Sequence, residues 1–252
     1  MMKLPRFFNY YGSKNQLSSL YARPRHDVLI EPFAGSAAYS LLHWKRKVKL
    51  YDLDDRICAI WDYLIHVSED EILSLPIINV GESIDDYKLT YEQRLLISKN
   101  LTDATCSFSN RITKGFASRA FEKNEYSIWG HRRRLTISRN LQYIRHWTID
   151  NISYEKVDNT KACWFIDPPY ECVQGREYKH NKIDFDHLAK YCKSRIGQTI
   201  VCENTNSKKW LPFRELKEIS GGRIVDGSSK KTTEVLWCSD EQDYPMQQQS
   251  LL

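Results

Sequence analysis

The 252-residue chain has no apolar run long enough to cross a membrane. Its longest uncharged apolar stretches, such as Tyr39 to Trp44, fall far short of the roughly 18 residues a spanning helix needs. No apolar segment follows the basic Lys3 and Arg6, as a secretion signal would require, so a cytoplasmic protein is expected. There is no C-x-x-C pair, and the seven cysteines are odd in number. That argues against a disulfide framework and against a zinc knuckle, so reduced thiols and no metal are expected. Pro-Cys, too, is missing. What is present is 41% apolar and 27% charged residues, the composition of a folded domain, and enough chain for one large domain or two modest ones.

Charge is unevenly spread. Between Gln93 and Trp147 eleven Lys/Arg face three acids, a net +8; the whole chain is +5, so the remainder is −3. The same window holds Phe108, Phe116, Phe121, Tyr126, Trp129 and Tyr143. Basic residues interleaved with aromatics suit a polyanion with stackable bases, although a solvated basic helix face would have the same composition.

Val28 to Ile30 reads as a buried strand running into a turn, Ala37 to Lys45 as a helix, and Val48 to Tyr51 as a second strand ending at Asp52. Asp54 or Asp55 caps a helix with Ile57, Ile60, Trp61 and Leu64 on one face. A helix is expected over Tyr91 to Leu101, an irregular stretch over Ser107 to Gly130, and a helix over Arg134 to Trp147. Ala162 to Ile166 is an apolar strand, Phe185 to Tyr191 looks helical, and Thr199 to Cys202 and Glu234 to Trp237 look like late strands. Strands and helices alternating with acids at the strand ends predict an α/β, doubly wound, Rossmann-like sheet. The irregular middle reads as an inserted small domain.

Four constellations carry chemistry. Asp167-Pro168-Pro169-Tyr170 follows an apolar strand directly, and open α/β sheets bind ligands at the carboxyl ends of their strands. A carboxylate, a proline carbonyl withheld from any helix and an aromatic plane suit a flat heterocycle bearing an exocyclic amine. A strand stopped by two prolines, with Tyr170 merely packing, has the same sequence. Glu31-Pro32-Phe33-Ala34-Gly35-Ser36 is the second: Gly35 lets the backbone approach a ligand, or simply turns from strand to helix. Asp52, 21 residues beyond Glu31, is placed either for ribose hydroxyls or as a helix cap. Tyr10-Tyr11-Gly12-Ser13-Lys14 is the fourth, a lysine beside a Gly-Ser turn that can hold a carboxylate or lie at the surface.

In this order and spacing the motifs resemble the Dam-like DNA adenine-N6 methyltransferases, the D12 class with the α order of motifs, over nearly the whole chain from Phe7 to Trp237. Phe8 to Leu17 is similar to the family's N-terminal motif, Leu29 to Ser36 to its S-adenosylmethionine loop and Tyr51 to Asp54 to its acidic motif. Cys163 to Tyr170 is similar to the catalytic motif, Ser229 to Trp237 to the Glu-containing last strand of phage-borne members. Ser13 stands where the family has a second Gly, and Tyr126 to Gly130 keeps only the aromatic and the Gly of its segment. The resemblance implies a catalytic domain of residues 1–66 and 135–252 and a mostly helical target-recognition domain of residues 67–134. It places S-adenosylmethionine on Tyr10, Lys14, Glu31, Phe33, Gly35, Ser36, Asp52 and Asp167, and the target adenine on Asp167, Pro168, Pro169 and Tyr170. Duplex DNA is the implied partner, met by Asn9, by Asn110, Arg111, Arg119 and Asn124 as base readers, and by Arg132, Arg133 and Arg134 on phosphates. A monomer is expected.

Adenine N6 is a poor nucleophile because its lone pair is delocalised into the ring. Accepting both N–H bonds at Asp167 and Pro168 localises that pair, with the base flipped out of the duplex onto Tyr170. C5-cytosine chemistry needs a cysteine nucleophile, typically in Pro-Cys, which this chain lacks. N4-cytosine methylation and a catalytically silent DNA-binding protein of the same fold are the alternatives.

Overall fold

The computed structural model describes residues 2–79, 82–101, 129–171, 175–176, 178–205, 209–223 and 229–245. Along the chain run β1 (Val28–Glu31), α1 (Ala38–Leu42), β2 (Lys47–Tyr51), α2 (Asp55–His66), α3 (Glu69–Ser74), α4 (Tyr91–Asn100) and α5 (His131–Asn140). Then come β3 (Thr148–Asp150), β4 (Ala162–Ile166), α6 (Phe185–Ser194), β5 (Gly197–Asn204), β6 (Arg214–Arg223) and β7 (Ser229–Cys238). The strands form one mixed sheet in the order β3-β2-β1-β4-β5-β7-β6. β3 through β5 are parallel, and β7 lies antiparallel between β5 and β6. This is the expected doubly wound α/β architecture, with an antiparallel hairpin at one edge.

The middle strands are buried on both faces, which is why they read as continuous apolar runs rather than alternating ones. β4 is buried at all five positions. Alternate residues go to opposite layers. Leu29, Val48, Leu50, Cys163, Phe165, Ile200 and Cys202 face a core shared with α2 and α4. Ile30, Ala162, Trp164, Ile166 and Val201 face the core under α6. α2 starts at Asp54, whose carboxylate accepts from the Arg56 N–H, and buries Ile57, Ile60, Trp61 and Leu64 as the periodicity predicts. In α4 a capping box between Thr90 and Gln93 fixes the start, and Leu95, Leu96 and Ile97 join the same core as Trp61 and Trp129. The described part of residues 67–134 therefore shares its apolar core with the sheet. Among the described residues no helix is long and apolar enough to cross a membrane.

Two helices and two strands differ from the expectation. The helix expected over Arg134 to Trp147 is α5, ending at Asn140, followed by a short 3-10 turn at Leu141–Tyr143. The helix after β1 is only Ala38–Leu42, since two left-handed residues, Gly35 at φ 45° and Ala37 at φ 48°, occupy the turn before it. β3 and β6 are strands that the sequence pattern does not announce.

Candidate active site

The carboxyl ends of β1, β2 and β4 converge on a cavity of about 250 Å³. Tyr10, Lys14, Glu31, Phe33, Gly35, Ser36, Asp52, Asp167 and Pro169 all line it, with Leu53, Tyr154, Tyr178 and Ile183 around them. Eight residues expected to hold one ligand, drawn from four separate stretches of sequence, are thus brought together.

The loop after β1 is clipped in place from both sides. The Gly35 N–H donates to Asp52 Oδ2 at 3.0 Å, and the Gly35 carbonyl accepts from Trp61 Nε1 at 2.9 Å. Ala34 N–H bonds the Tyr51 carbonyl at 2.9 Å, and Ser36 Oγ donates to Ser13 Oγ at 2.7 Å. A side chain on Gly35 would bring its Cβ to 2.8 Å from the Tyr10 ring, and the left-handed backbone disfavours one in any case. Asp52 is not the cap of α2, which is Asp54; its Oδ1 instead accepts from the Asp54 N–H at 2.9 Å. Asp52 therefore ties the β1 loop to the end of β2 while remaining at the cavity wall. Burial raises its carboxyl to about 6, against the pull of the Gly35 and Asp54 amides. Glu31 is more deeply buried, accepts from the Ser40 N–H at 2.8 Å, and is raised to about 8 by that burial.

Asp167 and Tyr170 are held by a buried charge cluster. Lys14 Nζ lies 2.9 Å from Asp167 Oδ1, 3.8 Å from Glu234 Oε1 and 4.6 Å from the centre of the Tyr170 ring. Glu234 Oε1 accepts the hydroxyls of Tyr170 at 2.8 Å and Tyr21 at 3.0 Å. Burial alone would strip Lys14 of its proton; the Asp167 and Glu234 carboxylates outweigh it and hold the ammonium above the usual lysine value. One ammonium between two buried carboxylates leaves a net negative charge, so burial raises both acids, with Lys14 drawing each partly back. Tyr170 thus does more than pack: its hydroxyl is anchored and its ring carries a cation. Lys14 sits on Asp167, at the β4 end of the cavity. Glu234 is the acid of the last-strand motif, Ser229 to Trp237, to which the sequence reading assigns no place in the site.

The residues expected to meet DNA divide differently. Asn110, Arg111, Arg119 and Asn124 lie outside the described residues. Arg132 is exposed, but Arg133 and Arg134 are not, which corrects the expectation that all three reach phosphates. Arg133 Nε donates to Asn100 Oδ1 at 2.8 Å at the end of α4. Arg134 donates to the Leu73 carbonyl at 2.8 Å and to that of Leu75, at the end of α3. Arg145 does the same for α2, donating to the Ile65 and Val67 carbonyls. Arg134 and Arg145 satisfy carbonyls that a helix end leaves without partners and Arg133 a buried side-chain amide, so part of the basic excess is spent inside the fold. Asn9 is also buried, its N–H bonded to the Lys99 carbonyl, and so presents no face to a base.

No family model matches the chain, and no curated protein sequence matches it. Among solved structures it is similar to the putative methyltransferase yhhF from Escherichia coli, at 10% identity, over 93% of this chain and 90% of that one, with a TM-score of 0.35. It is also similar to the rRNA methyltransferase aviRa from Streptomyces viridochromogenes, at 11% identity, over 86% and 79%, with a TM-score of 0.38.

Proposed function

We propose that this chain is an S-adenosylmethionine-dependent methyltransferase whose acceptor is the N6 amine of an adenine flipped out of duplex DNA, with residues 67–134 contributing target recognition. The observation that carries the reading is the run Asp167-Pro168-Pro169-Tyr170 at the end of β4, of which Asp167 and Pro169 line the cavity whose other wall is the Gly35 loop and Asp52, with Tyr170 held beside Asp167 by Lys14.

The donor set fits such a cofactor. A cradle that a single Cβ would fill at Gly35, a carboxylate at Asp52 and aromatic surface from Tyr10, Phe33 and Tyr154 suit a nucleoside with a charged amino-acid arm. Tyr10, Glu31, Phe33, Gly35, Ser36 and Asp52 would hold it; when bound, it supplies an electrophilic methyl group on a sulfonium. The chain's own work is positioning and charge. Asp167 accepts one N–H of the target amine and the Pro168 carbonyl the other, which localises the nitrogen lone pair for attack. Tyr170, fixed by Glu234, offers its face to the base. Lys14 lies between Tyr170 and Asp167, where that amine would come, so base entry requires its ammonium to withdraw.

The test is incubation of the protein with tritium-labelled S-adenosylmethionine and unmethylated DNA or RNA, followed by nucleoside analysis. The expected product is N6-methyladenine in DNA, with Asp167→Ala slower by about 10²-fold or more while still binding cofactor. Label in N4-methylcytosine, label in RNA alone, or undiminished transfer by Asp167→Ala would each overturn the assignment.

A further inference from the structure

Glu234 comes from the antiparallel strand β7, opposite Asn204 on β5, and reaches under the site from the far side of Tyr170. It is 4% exposed, so its charge must be answered from within the protein. Its Oε1 does two jobs: it fixes the Tyr170 and Tyr21 hydroxyls, and it stands 3.8 Å from Lys14 Nζ. Among the described residues the other groups around this ammonium are the Gly12 carbonyl, which accepts from it at 3.1 Å, the Tyr170 and Tyr178 phenols and the Cys202 thiol, with Tyr21 beyond on Glu234. Burial pushes Tyr170, Tyr21 and Cys202 upward, away from ionisation. The anions within reach of Lys14 are therefore the two carboxylates, Asp167 and Glu234.

We propose that Glu234 is the second seat of Lys14: it receives the ammonium when the substrate amine claims Asp167, and so acts as a positioning residue for the transfer. The trigger rests on the reading of Asp167 as the amine acceptor. The displacement needed is small, since an approach of about 1 Å takes the Lys14–Glu234 distance from 3.8 Å to the 2.9 Å that Lys14 now keeps with Asp167. Without a second seat, a buried ammonium would either stay on Asp167 and compete with the substrate or be left without a counter-charge. With it, Asp167 is released as a charged acceptor while Lys14 keeps a carboxylate partner.

Glu234→Gln separates the two jobs, because the amide oxygen still accepts the Tyr170 hydroxyl while the negative charge is gone. The first measurement is the titration of Lys14, followed by NMR of its labelled side chain in the free protein. In Asp167→Asn the ammonium should stay charged to the alkaline limit of the folded state, because Glu234 takes it over. In Glu234→Gln it should stay charged on Asp167. If Asp167→Asn alone drops Lys14 well below its ordinary value, by the roughly 3 units typical of buried lysines without partners, Glu234 is no second seat and the proposal fails. The second measurement is methyl transfer to unmethylated DNA. Glu234→Gln should lower kcat by about 10- to 100-fold, the worth of one charge-assisted hydrogen bond, with the KM for S-adenosylmethionine unchanged. Adding Lys14→Met should recover part of that loss, since no ammonium remains to be rehoused; simple multiplication of the two defects would overturn the switch. A wild type that transfers methyl to neither DNA nor RNA overturns the reading that supplies the trigger, and the Lys14 titration then decides by itself whether Glu234 is a second seat.

Discussion

Glu31→Gln tests the electrostatics of the cavity floor. In the unfolded chain Glu31 ionises near its ordinary 4.5; in the folded protein burial holds its proton to about 8. Between those values the folded state binds a proton that the unfolded state has lost, so stability falls as pH rises through that window. Its contribution is complete below pH 4.5 and gone above about 8. At ~1.36 kcal/mol per pH unit the loss is at most ~5 kcal/mol across the range, a large share of the ~5–15 kcal/mol that holds a typical domain together. Glutamine has nearly the same shape, still accepts from the Ser40 N–H, and does not titrate. Urea denaturation of both proteins from pH 5 to pH 9 should show the variant gaining on the wild type by several kcal/mol as pH rises. A difference between variant and wild type that is the same at pH 5 and pH 9 would refute the argument. The same proton should appear in ligand binding. Near pH 7 a group titrating at about 8 is mostly protonated, so meeting the cofactor's ammonium should release close to one proton. Calorimetry in buffers of different ionisation enthalpy measures that release, and Glu31→Gln should abolish it.

Asp52→Ala should weaken S-adenosylmethionine by about 1–3 kcal/mol and, by orphaning the Gly35 N–H, also destabilise the free protein by about 1–3 kcal/mol; calorimetry and urea melts read the two, and an unchanged pair would sink both roles. Gly35→Ala should cripple cofactor binding, since the new methyl meets the Tyr10 ring at 2.8 Å in a left-handed turn; wild-type affinity would show that the loop yields freely. Arg134→Ala should cost stability, about 2–4 kcal/mol for its lost bonds to buried carbonyls, with the salt dependence of DNA binding untouched. Arg132→Ala, by contrast, should reduce the slope of log affinity against log salt by about 0.9. Binding over a salt series checks both, and a flattened slope in Arg134→Ala would contradict the buried placement.

Strands β1, β4 and β5 were legible in the sequence through the apolar runs that burial on both faces demands, and β2 through buried Val48 and Leu50 alternating with exposed Lys47 and Lys49. β3 escaped because it has three residues, of which only Ile149 is even half-buried. β6, Arg-Glu-Leu-Lys-Glu-Ile-Ser-Gly-Gly-Arg, is charged as edge strands commonly are, and no alternation marks it. The cavity lining was legible for a related reason: acids, glycines and prolines at strand ends leave short, ordered signatures. What stayed hidden were facts of orientation. Nothing in Arg132-Arg133-Arg134 says which guanidinium turns inward to a helix end, because that depends on where α3 and α4 stop in space. Nor does Glu234 disclose that its partners are Tyr21, Tyr170 and Lys14, the first of them 213 residues away.

β6 joins the sheet through β7, and β7 joins it through β5. The hairpin of β6 and β7 must therefore dock as a unit on a sheet edge built earlier in the chain. The loop that this docking closes is short, since Asn204 and Glu234, paired between β5 and β7, are 30 residues apart against 134 for Leu29 and Cys163 in β1 and β4, so little loop entropy opposes it. Until that docking, Tyr170 lacks its hydroxyl anchor and Lys14 has a single carboxylate. The β1 loop, held by Asp52, Trp61 and Ser13, draws none of these bonds from β6 or β7, so the hairpin supports one end of the cavity and not the other. Through Glu234 the hairpin thus couples the last strand of the sheet to the Asp167 and Tyr170 end of the cavity.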